Sequence, residues 1–165
     1  MSEQHELNPE RLGDHIDRLY RAAWGLCGSR EDAEDLVQET FVRVLGRPRL
    51  LHSQDELGYL LRVLRNTYIS DLRYAARRPR RADLDVDQLM AVDERSPDPE
   101  AKLMVGALYG AISSLPAAFR DAVVAVDLVG LSYREAARAL RVREATLTTR
   151  LYRGRKRLVE LLADQ

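Results

Sequence analysis

Apolar residues recur along most of the chain at intervals of three and four, the spacing of one helix face, and strand signals are weak. Asn8-Pro9-Glu10 reads as a helix start: a side-chain acceptor, a proline that needs no amide partner, then an acid at the positive end. Behind it Leu12, Ile16, Leu19, Tyr20 and Ala23 form a first inward stripe, and Gly25 and Gly28 punctuate its end. Ser29 with Asp32 opens a second helix in capping-box style, with Ala33, Leu36, Val37, Phe41 and Val44 inward and Gly46 and Pro48 as the stop. Ser53 with Glu56 repeats the capping signature. The third helix then turns Leu57, Leu60, Leu61, Leu64, Tyr68 and Leu72 inward. It ends at Ala76-Arg77-Arg78-Pro79, because a residue before proline is pushed out of helical geometry.

From Pro79 to Glu100 the periodicity breaks. Asp83, Asp85, Asp87, Asp93, Glu94, Asp98 and Glu100 fall here with Pro79, Pro97 and Pro99, which predicts an extended acidic linker with at most a short turn near Leu89-Met90. Helical spacing resumes at Asp98-Pro99 and predicts helices over about 100–113, 116–129, 132–140 and 144–162. Gly130 is a C-terminal cap, and Ser132 with Glu135 a further capping box. The fold class is therefore all-α: a first helical domain over 1–78, a linker over 79–100 and a second helical domain over 101–165.

Composition changes this picture little. Charged residues make up 32% and aromatics 6% of 165 residues, which suits helices with wide solvated faces. The 26 basic and 26 acidic residues cancel, so any nucleic-acid partner must be sought in how charge is distributed. The single cysteine, Cys27, excludes an internal disulfide and a thiolate metal cluster, and reads as a small buried residue in a reducing compartment. His5, His15 and His52 have no ligand spacing, so no metal site is expected, and no motif calls for a cofactor. The polar N-terminus and the lack of a long apolar run predict a soluble cytoplasmic protein without membrane insertion.

The most informative segment is LSYREAARALRVREATLTTRLYRGRKRL. A short helix, Tyr133 to Leu140, has small Ala136 and Ala137 where another helix must approach. Arg141-Val142-Arg143 makes a turn with Val142 as its apolar plug, and a longer helix follows. This is the spacing of a DNA-binding helix-turn-helix. In the second helix Leu147, Leu151 and Leu158, with Gly154 between, face the core. Ala145, Thr148, Thr149, Tyr152, Arg153 and Lys156 lie opposite, as donors to phosphates and base edges and as contacts to thymine methyls. Arg141, Arg143, Arg150, Arg153, Arg155, Lys156 and Arg157 stand against one acid, Glu144, so a neutral chain has concentrated positive charge where DNA would lie. In the first domain, Glu31, Asp32, Glu34, Asp35 and Glu39 give helix two an acidic edge. Arg62, Arg65, Arg73, Arg77 and Arg78, then Arg80 and Arg81, give helix three a basic one.

Three blocks in order carry a resemblance. DAEDLVQETFVRVL resembles the core-binding helix of group IV, or extracytoplasmic-function (ECF), sigma factors of the sigma-70 family; YLLRVLRNTYISDLRYAARR is similar to their promoter-melting helix; and the segment from Leu115 to Leu158 is similar to their C-terminal promoter-binding domain. The resemblance implies a sigma-2-like bundle and a sigma-4-like helix-turn-helix, and a non-enzymatic protein that brings RNA polymerase to promoters and helps open the −10 region. It implies that Asp35, Gln38 and Glu39 contact the clamp helices of the polymerase largest subunit, and that the second domain meets the flap of the second-largest subunit. Arg62, Arg65, Asn66 and Arg73 would engage the −10 element, with the loop His52, Ser53, Gln54 and Asp55 capturing a flipped base. Thr146, Thr148, Thr149, Tyr152 and Arg153 would read the −35 element while Arg143, Arg150 and Arg155 hold phosphates. The acidic linker would thread toward the polymerase cleft. The free protein would be monomeric, and an anti-sigma factor is an implied partner.

The sequence departs from the family at three places. Arg141 stands where glycine is usual and Arg143 where a serine-type cap is common, so that capping bond is lost; Leu61 replaces a frequent aromatic. Asp71 is expected to pair with an arginine, and Asn66 is alternatively an interhelical hydrogen bond. The competing reading of the whole chain is a dimeric helix-turn-helix regulator that binds palindromic operators without polymerase.

Overall fold

The computed structural model describes residues 3–77 and 98–165. The linker expected over 79–100 lies almost wholly outside them, as do Arg78, Arg80, Arg81 and the turn at Leu89-Met90. The described residues form α1 (Pro9–Cys27), α2 (Arg30–Gly46), α3 (Glu56–Arg77), α4 (Pro99–Ser114), α5 (Ala117–Val123), α6 (Tyr133–Leu140) and α7 (Glu144–Ala163). None of these helices is long and apolar enough to cross a membrane.

The local signals act as expected. The Asn8 side chain accepts from the Arg11 amide at 2.9 Å, and the Ser29 hydroxyl accepts from the Asp32 amide at 3.4 Å. Ser132 and Glu135 form a reciprocal capping box. Four expectations need correction. First, two short strands, β1 (Gln4–Glu6) and β2 (Leu50–His52), pair antiparallel with His5 opposite Leu51. Second, Ser53 opens a 3-10 turn (Ser53–Asp55) instead of a capping box, because the Glu56 carboxylate is taken by β1 and α1. Third, Ile16 and Leu72 are exposed, since among the described residues nothing covers those points of the α1 and α3 stripes. Fourth, the helix expected over 116–129 is α5 followed by a π-helical turn, Val124–Leu128, and Gly25 lies inside α1 instead of ending it.

The two halves share one core. Ala22, Ala23 and Leu26 of α1 and Leu61 and Leu64 of α3 join Ala111, Ile112, Val123, Val124, Leu147 and Leu151 of the second half in one buried cluster. Trp24 of α1 stacks on Tyr109 of α4 with ring centroids 3.9 Å apart and planes within 3°. A Cβ on Gly25 would lie 2.6 Å from Leu128 Cδ1 and 3.1 Å from Val124 Cγ2, so glycine is what lets α1 meet the π turn. A smaller cluster of Leu7, Leu12, Leu19, Val44 and Leu60 holds β1 and the open end of the first bundle.

Candidate nucleic-acid and protein interfaces

The helix-turn-helix takes its shape from the turn. Arg141 adopts φ 56°, ψ 44°, the left-handed conformation that favours glycine. The Val142 amide bonds back to the Ala137 carbonyl at 3.0 Å, and the Val142 side chain packs against the core. Arg143 caps α7 without a side-chain bond, so first-turn amides remain open to an acceptor such as phosphate. Gly154 is required by packing: a Cβ there would lie 2.9 Å from Val123 Cγ2 and 3.1 Å from the Phe119 carbonyl oxygen. That close approach fixes the rotation of α7. Leu147, Leu151 and Leu158 are buried, while Thr148, Thr149, Tyr152 and Arg153 are exposed.

On the exposed face the hydroxyls of Thr148 and Thr149 donate to the Glu144 and Ala145 carbonyls at 2.9 and 3.1 Å, which turns their methyl groups and remaining lone pairs outward. Tyr152 is 68% exposed, an unusual position for so much ring unless something covers it. Thr146, Thr149, Arg150 and Arg153 line a shallow concavity of about 410 Å³ with Phe119 and Ala145. Arg155 stands apart from this group. Both Asp127 oxygens accept from its guanidinium, at 2.6 and 3.0 Å, and hold it above its ordinary pKa.

The first half brings its three expected groups to different faces. Asp35 and Gln38 are exposed on α2 and Glu39 is half-buried beside them, where it accepts from Arg43 at 2.9 Å. Val42, 71% exposed, and Leu45 continue the same face by helical spacing. The sequence reading missed both, although apolar residues outside a helix's buried stripe are the signal of a docking face. Asp71 meets Glu39 and not, as expected, an arginine as its main partner. Burial and that second carboxyl push it above the usual aspartate range, and Arg43 only partly opposes them.

On α3, Asn66 and Arg73 are exposed, so Asn66 makes no buried interhelical bond. Arg62 and Arg65 turn instead toward the second half. Arg65 donates to the buried Asp121 carboxylate at 2.7 Å, and Arg62 donates to the Arg138 and Ala139 carbonyls at 3.1 and 3.3 Å.

His52, Ser53, Gln54 and Asp55 form the end of β2 and the following turn, and this loop is anchored at its base by Glu56. That carboxylate, with side-chain exposure of 5%, accepts from Arg11 at 2.7 Å and His15 at 2.9 Å, and from His5. Burial alone would push its pKa up, but the bonds from His15, His5 and Arg11 outweigh it and hold the carboxyl below the usual range. Two histidines without ligand spacing thus converge as donors on one acid. Among the described residues, no group of histidines, cysteines and acids could hold a metal ion.

A family model described as Sigma-70 region 2 matches residues 12–78, and one described as Sigma-70, region 4 matches residues 106–158. The chain is 39% identical over 159 residues to ECF RNA polymerase sigma factor SigE of Mycolicibacterium smegmatis; the match spans 93% of this chain and 61% of that relative's length. It is 32% identical over 149 residues to ECF RNA polymerase sigma factor EcfG of Rhodopseudomonas palustris, spanning 89% of this chain and 80% of the relative. Among solved structures it resembles the sigma factor RpoE in complex with the anti-sigma factor NepR from Bartonella quintana, with a TM-score of 0.69, 27% identity, and coverage of 93% of this chain and 95% of that one.

Proposed function

The chain belongs to the ECF sigma factors of the sigma-70 family, and from that premise we propose that it directs core RNA polymerase to specific promoters and helps open their −10 region. It is an initiation factor, not an enzyme; bond formation stays with the polymerase. The observation that carries this reading is the division of faces within one chain. An exposed face of α7 offers Thr148, Thr149, Tyr152 and Arg153 to a major groove, while α2 offers Asp35, Gln38, Val42 and Leu45 to a protein.

In this reading Thr146, Thr148, Thr149, Tyr152 and Arg153 read the −35 element, with Arg143 and Arg150 on phosphates. Arg155, whose Nε and Nη2 donate to Asp127, has its remaining N–H groups for a phosphate. Arg62, Arg65, Asn66 and Arg73 engage the −10 element, and the loop from His52 to Asp55 receives the flipped base. Asp35, Gln38 and Glu39 dock on the clamp helices of the largest subunit, and the second half meets the flap of the second-largest. The solved relative is bound to an anti-sigma factor. The exposed Leu103, Met104, Val105 and Leu108 of α4 offer a protein partner of that kind an apolar surface here.

Run-off transcription with purified core polymerase on genomic fragments, with start sites mapped, tests this reading. Starts downstream of a shared pair of −35 and −10 sequences are expected. Binding to a symmetric DNA site by a dimer that never joins core polymerase would replace it with the regulator reading.

A further inference from the structure

We propose that the N-terminal strand β1 is part of the −10 reader, with His5 as the positioning residue that sets the place of the base-capture loop from His52 to Asp55. The inference rests on the sigma reading above and deepens it, since it names a specificity-determining residue outside the loop. β1 also lies ahead of residue 12, where the match to Sigma-70 region 2 begins.

One residue grips both ends of the loop. On the entry side His5 pairs with Leu51 in the β1–β2 ladder, and its neighbour Gln4 pairs with His52, the first residue of the loop. The Gln4 and His52 side chains also meet, Nε2 to Nε2, at 3.3 Å. On the exit side the His5 imidazole reaches the carboxylate of Glu56, the residue directly after Asp55. Between these ends lies a single 3-10 turn, Ser53–Asp55. A turn this short takes its position from its two ends, and β1 holds both.

The chemistry at Glu56 defines the tie. The carboxyl is held below its usual range, so it is ionised and can only accept. The Nε2 atoms of His5 and His15 therefore carry hydrogen. His5 and Arg11 share Oε1, and His15 takes Oε2 at 2.9 Å. Of these three donors only His5 stands on β1; Arg11 and His15 belong to α1. A two-stranded ladder is marginal by itself. Here it is closed by the charge-assisted bond from His5 and by Leu7, buried with Leu12, Leu19, Val44 and Leu60. Without the imidazole, Arg11 and His15 still satisfy both Glu56 oxygens, so the helices keep their core while the loop loses its tie to β1.

Unstacking a base from its neighbours is unfavourable, and a loop already ordered to receive it loses less freedom when it does so. A residue that orders the loop therefore contributes to base selection without touching DNA.

The test uses holoenzyme assembled from the full chain and core polymerase. Fluorescence anisotropy measures its affinity for single-stranded −10 oligonucleotides that carry each of the four bases at each position in turn, and for a −35 duplex. His5→Ala is expected to reduce discrimination by about tenfold at one −10 position, the scale of a lost hydrogen bond to a charged group. Discrimination at the other positions and affinity for the −35 duplex should stay at the wild-type level. His5→Gln, whose amide nitrogen reaches nearly as far as Nε2, should restore the preference; His5→Asn, whose amide falls short of Glu56, should behave like alanine. Unchanged discrimination in His5→Ala, an equal loss at every position, or a variant that no longer folds by circular dichroism would overturn the assignment, the last two by making His5 a structural residue. If wild-type holoenzyme showed no base preference on any −10 oligonucleotide, the −10 reading of the loop itself would fall, and the role of His5 with it.

Discussion

Gly154→Ala sets two opposed effects against each other, and the structure decides between them. Alanine is a better helix former than glycine by about 1 kcal/mol in a helix interior, so an unobstructed site would gain stability. At Gly154 the new methyl would lie 2.9 Å from Val123 Cγ2 and 3.1 Å from the Phe119 carbonyl oxygen. Comfortable carbon contacts begin near 3.5 Å. Val123 could turn its side chain, but the Phe119 oxygen belongs to the α5 backbone and moves only with the helix. Overpacking of that kind costs ~1–3 kcal/mol. The net expectation is a loss of about 1 kcal/mol, which lowers Tm by roughly 2–4 °C in a chain of this size. Because the forced shift displaces α7 from α5, affinity for a −35 duplex should fall as well, even well below the melting temperature. Thermal unfolding followed by circular dichroism, with fluorescence anisotropy on the duplex, reads both. A higher Tm with unchanged affinity would refute the packing argument.

Other expectations concern charge and the turn. Arg141→Gly relieves a left-handed backbone and should raise stability by about 1 kcal/mol; a lower Tm would show that the arginine side chain contributes more to the fold than its backbone costs. Arg153→Ala should weaken −35 binding by ~1–3 kcal/mol if the guanidinium makes a bidentate base contact, and unchanged promoter selectivity would remove it from the reading face. Asp35→Ala combined with Glu39→Ala should reduce capture of core polymerase while the melting curve stays near that of wild type; equal pull-down would eliminate the acidic docking edge. The lowered pKa of Glu56 fixes the sign of an acid effect. Its stabilisation is present above the unfolded-chain value of about 4.3 and is lost as pH falls through the lower folded value. Denaturant unfolding between neutral and acid pH should therefore fall more steeply for wild type than for Glu56→Gln, and parallel curves would contradict the carboxylate's role.

Helix positions, caps and the helix-turn-helix depend on neighbours within about four residues, so Asn8, Ser29, Ser132 and the Arg141 turn could be read from the sequence alone. The same holds for the outward set on α7, since its inward leucines fix the helix rotation. Tertiary structure decided what depends on distant partners. His5 and His15 reach Glu56 across separations of 51 and 41 residues, and Arg65 reaches Asp121 across 56. No periodicity links such pairs, because the chain between them is free to place them anywhere until the helices pack. For the same reason Ile16 and Leu72 continue an apolar pattern yet meet solvent. Arginines that the sequence marks as free cations likewise take up Asp121, Asp127 and the α6 carbonyls: composition fixes a charge, but only packing brings it within reach of an acceptor.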